Sequence, residues 1–250
     1  MIDLLGGHAV HARGGHREKY ARVETVAGDA TLLARRYLEA GMTELYVADL
    51  DAIRSEPGHR SLIERLVTLR VPIWLDAGAT SVQAARDCLD LGVARVIVGL
   101  ETLRSFDDLE AICAAAGGRR VAFSLDMRAG RPFSRHHSGP GVPGTTTAGE
   151  AHADIGSIAV RAAAAGVDAV VILDVARVGT QAGLDFELIR RVRERVPGVM
   201  LLAGGGVRGP QDVGRLHAVG CDGALVATAF HNGAIGPAEI ACASQRKFQS

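Results

Sequence analysis

Ser124-Leu125-Asp126-Met127-Arg128 closes an apolar, beta-branched run that starts at Val121, and it restates Ile2-Asp3-Leu4-Leu5 after an offset of 123 residues. The repetition spreads outward from this pair. Asp49 in V-A-D-L is matched by Asp174 in I-L-D-V at an offset of 125, Leu75-Asp76-Ala77-Gly78 parallels Leu202-Ala203-Gly204-Gly205, and Val98-Gly99-Leu100 parallels Val226-Ala227-Thr228. Self-similarity at half the chain length predicts two half-barrels, residues 1–117 and 118–250. They must share one core, because four strands alone leave open edges.

The runs between these points support an α/β fold. Candidate strands are Ile2 to Leu5, Leu45 to Ala48, Pro72 to Leu75, Arg95 to Val98, Val121 to Leu125, Ala169 to Leu173, Val199 to Ala203 and Ala224 to Ala227, each separated from the next by a longer helical pattern. Helices between strands imply a parallel sheet covered on its outside. Asp29, Ser81 and Ser105 stand where N-caps are expected, and Gly41, Gly92, Gly166 and Gly220 stand where a left-handed residue would release the chain. No G-x-G-x-x-G turn follows the first strand, so a closed (βα)8 barrel, the TIM barrel, fits better than an open doubly wound sheet.

Composition narrows the partners. With 28 basic and 28 acidic residues the formal charge is zero, which disfavours a nucleic-acid partner held through phosphates. All but two of the basic residues, Lys19 and Lys247, are Arg. Apolar stretches break within about ten residues, short of the roughly 20 a membrane span needs. Cys88, Cys113, Cys221 and Cys242 show no C-x-x-C spacing, and their apolar surroundings predict buried, reduced thiols in a cytoplasmic protein. Two stretches are irregular. Almost nothing precedes Asp3, so either the start lies upstream or the first strand is frayed. The Gly-, Pro- and Ser-rich stretch from Arg128 to Ala153 carries Arg131, Arg135, His136 and His137, and predicts a cationic lid over an anionic substrate or a plain surface loop.

In such barrels the working residues sit at the C-terminal ends of strands. Asp3, Asp49, Asp76, Asp126 and Asp174 all fall there. Asp3 and Asp126, on opposite sides of one mouth, are suited to act as general base and general acid once their environments separate their proton affinities. Asp49 and Asp174 stand beside them as catalytic candidates, but an acid after a strand commonly caps a loop or pairs with a backbone N–H, and for these two that structural role is the stronger reading. His8 and His11 have no established ligand spacing with Asp3 or Asp49, so no metal is expected, and no cofactor motif is found.

The strings I-D-L-L-G-G-H-A-V-H-A (Ile2 to Ala12), A-D-L-D-A (Ala48 to Ala52), S-L-D-M-R (Ser124 to Arg128), D-V-A-R-V-G-T (Asp174 to Thr180) and A-G-G-G-V (Ala203 to Val207) resemble the HisA/HisF family. These are half-barrel-duplicated enzymes of histidine biosynthesis, one an aldose-ketose (Amadori) isomerase, the other a cyclase. The resemblance spans essentially the whole chain. It implies that Asp3 and Asp126 are the acid-base pair and that Gly204, Gly205, Gly206, Ala227 and Thr228 hold phosphate. A Gly-rich turn that exposes backbone N–H groups is a sound basis for the latter.

Departures from the family pattern shape the expected substrate. Where the family has a second Gly-rich grip, this chain has Asp76 and Glu101, and like charges in a poorly solvated pocket cost several kcal/mol at an effective dielectric of about 20. Leu173 and Val178 replace polar family residues, leaving Arg177 and Thr180 as expected substrate contacts beside them. His11 stands where relatives carry Arg or Lys. His11 or Arg13 is expected to orient the substrate, and Lys19 to meet an anion. The expectation is an enzyme on a small, singly phosphorylated molecule. V-H-A-R-G-G-H-R-E-K-Y (Val10 to Tyr20) and A-D-L-D-A-I (Ala48 to Ile53) are similar to HisA/HisF-related proteins found with one-carbon cofactor genes, which implies a step toward a methanopterin- or methanofuran-type cofactor. A genuine HisA-type isomerase and a noncatalytic barrel in a biosynthetic complex are the alternatives. A homo-oligomer is compatible with the sequence.

Overall fold

The computed structural model describes residues 1–134 and 155–246. Eight strands follow one another around a barrel: β1 (Ile2–Leu5), β2 (Leu45–Asp49), β3 (Ile73–Asp76), β4 (Arg95–Gly99), β5 (Val121–Arg128), β6 (Ala169–Asp174), β7 (Met200–Gly204) and β8 (Gly223–Ala224). Each pairs in parallel with its successor. The Met1 ammonium donates to the Val226 carbonyl at 2.8 Å and bridges the seam between β1 and β8. Helices α1 (Ala30–Glu39), α2 (Arg60–Val67), α3 (Val82–Asp90), α4 (Phe106–Ala116), α5 (Ile155–Ala164), α6 (Phe186–Arg195), α7 (Pro210–Ala218) and α8 (Pro237–Arg246) complete the expected (βα)8 barrel. No helix among the described residues is long and apolar enough to cross a membrane.

The helix signals act as anticipated. Asp29 accepts from the N–H of Thr31 and Leu32, Ser81 from Ala84, and Ser105 from Asp108. Gly41, Gly92, Gly166 and Gly220 all take the left-handed backbone that ends a helix.

Side chains alternate across each strand, and that period decides which residues see the lumen. Leu45, Val47, Ile73, Leu75, Val96, Val98, Val121, Phe123, Leu125, Val170 and Ile172 point outward into the main core beneath the helices. Tyr46, Ala48, Trp74, Ile97, Ala122, Ala169 and Val171 point inward and fill the barrel. Trp74 is anchored there by an Nε1–H bond to Glu44 at 2.8 Å, with Arg95 over its ring, and burying such a side chain contributes roughly 2–3 kcal/mol.

Three features were not foreseen. Gly6 and Gly7, both at positive φ, turn β1 back into an antiparallel strand, His8–His11, which then pairs with Ala21–Arg22. Two consecutive residues at positive φ are what a tight hairpin turn requires. A further short strand, Arg131–Pro132, pairs with the end of β5. The eighth strand is shorter than expected, because Leu225 to Ala227 lead into a short helix, Thr228–His231. Cys88 is half-buried, Cys113 and Cys221 are buried, and Cys242 is exposed, which corrects the expectation of uniformly buried thiols.

Candidate active site

The C-terminal ends of the strands surround a cavity of about 340 Å³ into which Asp3, Asp76, Asp126 and Glu101 project with Arg17, Tyr20, Tyr46 and Arg128. Parity explains the selection. Asp76 lies two residues beyond inward Trp74, and Asp126 lies four beyond inward Ala122, with buried Ser124 between. Asp3 alternates with outward Ile2 and Leu4.

The three aspartates are held differently. Asp126 accepts from Ser124 Oγ at 2.6 Å and from the Glu101 N–H at 3.0 Å. Asp76 accepts from the Gly78 N–H at 3.2 Å and from the Tyr46 hydroxyl at 3.4 Å. Asp3 is 7% exposed, and its carboxylate accepts no hydrogen bond among the described residues. Gly99 is what lets Asp126 occupy its place: a side-chain carbon there would lie 2.9 Å from Asp126 Oδ2 and 3.9 Å from Asp76 Oδ2.

Burial of charge governs their proton affinities. Burial, reinforced by the Asp76 charge, pushes Asp126 up to about 8. Burial likewise raises Asp3 to about 7, against the opposing pull of the Met1 ammonium and Arg17. Burial raises Asp76 as well, to about 6, against the opposing pull of its Gly78 N–H bond. Asp126 thus holds its proton more tightly than Asp3 does. Arg17 Nη2 approaches the Glu101 carboxylate at 3.3 Å and closes one side of the mouth.

A small adjoining cup of about 20 Å³ is lined by Gly179, Gln181, Gly205, Gly206, Ala227 and Thr228, among others. Its two central glycines are obligatory. Gly205 and Gly206 have φ of +76° and +135°, and an added side-chain carbon would stand 2.6 Å from the Asp174 carbonyl and 2.5 Å from the Gly183 carbonyl respectively. The N–H groups of Gly205, Gly206 and Thr228 take no acceptor among the described residues. Thr228 Oγ1 is bonded to His11 Nε2 at 2.9 Å. Unspent N–H donors around a concave turn are suited to an anion.

Residues 1–236 match the family model described as "Histidine biosynthesis protein". The chain belongs to this family. Among its relatives is the 1-(5-phosphoribosyl)-5-((5-phosphoribosylamino)methylideneamino) imidazole-4-carboxamide isomerase of Thermus thermophilus, 35% identical over 237 residues that cover 94% of each chain. The proteins of the same name from Deinococcus radiodurans and a Synechococcus strain are 34% and 35% identical, covering 94% of this chain and 93% and 85% of their own lengths. These family relatives carry the isomerase name, and none of the three is named for a one-carbon cofactor pathway.

Against this family frame, several expected site residues fall elsewhere. Asp49 and Asp174 share the parity of outward side chains and do not line the mouth, which sets them apart from Asp3 and Asp126. Asp49 accepts from the N–H of Ala52 and His59 and from His59 Nδ1. Asp174 accepts from the N–H of Ala129, Gly130 and Ala176, and lies 3.3 Å from Arg177 Nε. Both organise loops. Arg177 spends itself on Asp174 and the Gly183 carbonyl, and exposed Thr180 bonds the Arg177 carbonyl, so neither reaches the mouth. Arg13 and Lys19 are exposed and line neither cavity. The cations of the mouth are instead Arg17 and Arg128, because the turn Arg17–Lys19 folds Arg17 inward. Gly204 ends β7, packed against Leu225, just behind the cup.

His11 sits at the cup, bonded to Thr228, and burial and then Arg13 lower its proton affinity. Asp49, Asp51 and His59 form the one cluster of metal-ligand spacing among the described residues, within 4.8 Å of one another. The Gly6 N–H bonds Asp51, the Gly7 N–H bonds His59 Nε2 and His59 bonds Asp49, so the cluster is satisfied as a clasp on the Gly6-Gly7 turn. Arg135, His136 and His137 lie outside the described residues. Tyr46, Tyr20, Ser124 and Arg17 were not singled out from sequence, although the inward parity of Tyr46 and Ser124 was there to be read.

Proposed function

We propose that this chain is an acid-base isomerase of a phosphorylated aminoaldose, carrying out the kind of aldose-ketose rearrangement its relatives are named for. The observation that supports this best is the pair Asp3 and Asp126 in one cavity, one without a hydrogen bond and the other held by two donors. Opening the sugar ring needs a proton at the ring oxygen, which protonated Asp126 supplies while the C1 nitrogen lone pair forms an iminium ion. Asp3 then takes the C2 proton, the electron pair neutralises the iminium nitrogen, and the enolamine tautomerises to the 1-amino-2-ketose. Each role matches the order of the two proton affinities. The phosphate is assigned to Gly205, Gly206, Ala227 and Thr228, with His11 orienting the Thr228 hydroxyl.

Asp3→Asn and Asp126→Asn are each expected to lower turnover by roughly 10²- to 10⁴-fold, the usual weight of one acid-base group, while leaving circular dichroism unchanged. Wild-type rates in both variants would remove the pair from the mechanism and favour a noncatalytic barrel.

A second reading concerns the other end of the substrate. The turns after β3 and β4 present Asp76 and Glu101, and their Gly78 and Glu101 N–H groups already donate to Asp76 and Asp126. This favours a substrate with one phosphate rather than two. Efficient conversion of the relatives' doubly phosphoribosylated substrate, with rescue of an isomerase-deficient strain, would refute it. The one-carbon cofactor setting gains no support from the relatives.

A further inference from the structure

Among the described residues, no Arg or Lys lines the cup at the β7 and β8 turns. Arg17 and Arg128 line the larger cavity instead. A dianion held by the Gly205, Gly206 and Thr228 N–H groups alone meets neutral donors, and hydrogen bonds from ionised donors are roughly twice as strong. One titratable side chain stands directly behind those donors. Half-buried His11 reaches Thr228 Oγ1 through Nε2 at 2.9 Å.

The Thr228 hydroxyl has one proton to give. When Nε2 accepts it, the hydroxyl is spent on His11; when Nε2–H donates, the hydroxyl is free to donate into the cup. Imidazolium is a donor at both nitrogens, so a proton on His11 enforces the second arrangement and puts a positive charge one hydroxyl behind the ligand. The neighbours of His11 set what that proton costs in an empty cup. Arg13 repels it from the same segment. From the short helix Thr228–His231 the His231 ring meets it edge-on, ring centres 5.4 Å apart, with His231 Nε2 bonded to the Tyr37 hydroxyl of α1 at 3.1 Å. Val10 beside it pairs with Asp3 of β1 and with Arg22. The Met1 ammonium is engaged by the Val226 carbonyl. Burial and then Arg13 hold His11 below its ordinary value, and a dianion at Thr228 works against both.

We propose that His11 is the positioning residue of the cup and makes anion binding proton-linked: a dianion enters together with a proton from solvent, which His11 takes up, freeing the Thr228 hydroxyl to donate to the ligand. This rests on the phosphate assignment at Gly205, Gly206 and Thr228, and adds how that same site is regulated. The cup then grips its anion more firmly as pH falls, without a permanent cation.

The test is calorimetric titration of the full chain with inorganic sulfate, which stays a dianion throughout and adds no titration of its own. From about pH 5.5 to about pH 8 the affinity should fall about tenfold, the linkage expected when the ligand raises one group by about one pH unit. Repeating the titration in buffers of different ionisation enthalpy should show an uptake of about half a proton per sulfate near the middle of that range. His11→Gln keeps a polar side chain beside Thr228 but cannot ionise, so its affinity should vary by less than about threefold over the same range. Should that variant fail to fold, the imidazole resonances of wild-type His11 decide: their titration should move up by about one pH unit when sulfate saturates the protein. An unmoved His11 titration, a flat wild-type profile, or a variation of about threefold or more surviving in His11→Gln overturns the proton linkage while leaving the cup standing. The last of these would hand the proton to another group, the Met1 amine first. Failure of both sulfate and inorganic phosphate to bind at any pH overturns the cup and the linkage together.

Discussion

Replacing Asp76 by Asn should move the whole pH profile of the enzyme toward acid. The carboxylate oxygens of Asp126 and Asp76 lie 2.9 and 3.9 Å from the point where a side-chain carbon on Gly99 would stand, so no more than about 7 Å separates them, a distance at which unit charges repel by about 2 kcal/mol at an effective dielectric of about 20. Asp76, at about 6, is already ionised when Asp126 titrates near 8, so its charge opposes the ionisation of Asp126. Asp76 also raises Asp3, as a smaller contribution after burial. Removing the charge while keeping the shape should therefore bring the alkaline limb of kcat/KM down by about one to two pH units, since each unit is worth 1.36 kcal/mol. The acid limb should follow by less. A carbon-detected titration of the aspartate carboxyl groups reads the same displacement without any substrate. An Asp126 resonance and an alkaline limb both within about 0.3 pH units of wild type, far below that 2 kcal/mol, would refute the coupling.

Other consequences follow from the same geometry. Because Asp3, Asp76 and Asp126 bind protons more tightly folded than unfolded, the protein should lose stability as pH rises from about 4 to about 8. Thermal midpoints across that range should show it, and Asp126→Asn should flatten the slope. Gly206→Ala sets a carbon 2.5 Å from the Gly183 carbonyl at a strained φ, so the cup must shift. Inorganic phosphate should then bind roughly tenfold more weakly, with a raised KM, and unchanged affinity would move the anion site elsewhere. Asp49→Ala strands the N–H groups of Ala52 and His59 and should cost about 2–4 kcal/mol in chemical denaturation, with kcat of the folded fraction preserved within a few-fold. A loss of turnover matching that of Asp3→Asn would return Asp49 to the catalytic set.

The barrel was legible because its strands and helix caps are locally specified: apolar runs begin shortly after Gly41, Gly92, Gly166 and Gly220 release the helices, and the acids stand at or near the strand ends. The sorting of those acids was legible too, but only to parity. Asp76 and Asp126 sit an even number of residues from Trp74 and Ala122, whereas Asp49 and Asp174 keep step with Val47 and Ile172, and one residue separates lumen from loop. Motif position alone groups all five. The inward swing of Arg17 could not be read, since it depends on the hairpin made by Gly6 and Gly7 and on a short turn with no sequence period. The same holds for His11, whose bond to Thr228 crosses 217 residues of chain.

What distinguishes the two ends of the mouth is the fate of their backbone N–H groups more than the count of acids. A carboxylate beside a strand-end turn satisfies the nearest amide, as Asp76 does for Gly78 and Asp126 does for Glu101, and a satisfied amide has nothing left to offer an anion. Where the first half of the chain has Asp76, the second half has Ala203, and the amides of Gly205 and Gly206 beyond it stay unspent. An Asp in place of Ala at that strand end therefore does two things at once: it adds a negative charge and withdraws a donor. Both push the preferred ligand from anion toward cation, so such a turn changes sign without any change in the backbone that carries it. The barrel can then keep its acid-base pair and one phosphate grip while the opposite end is free to meet a different chemical group.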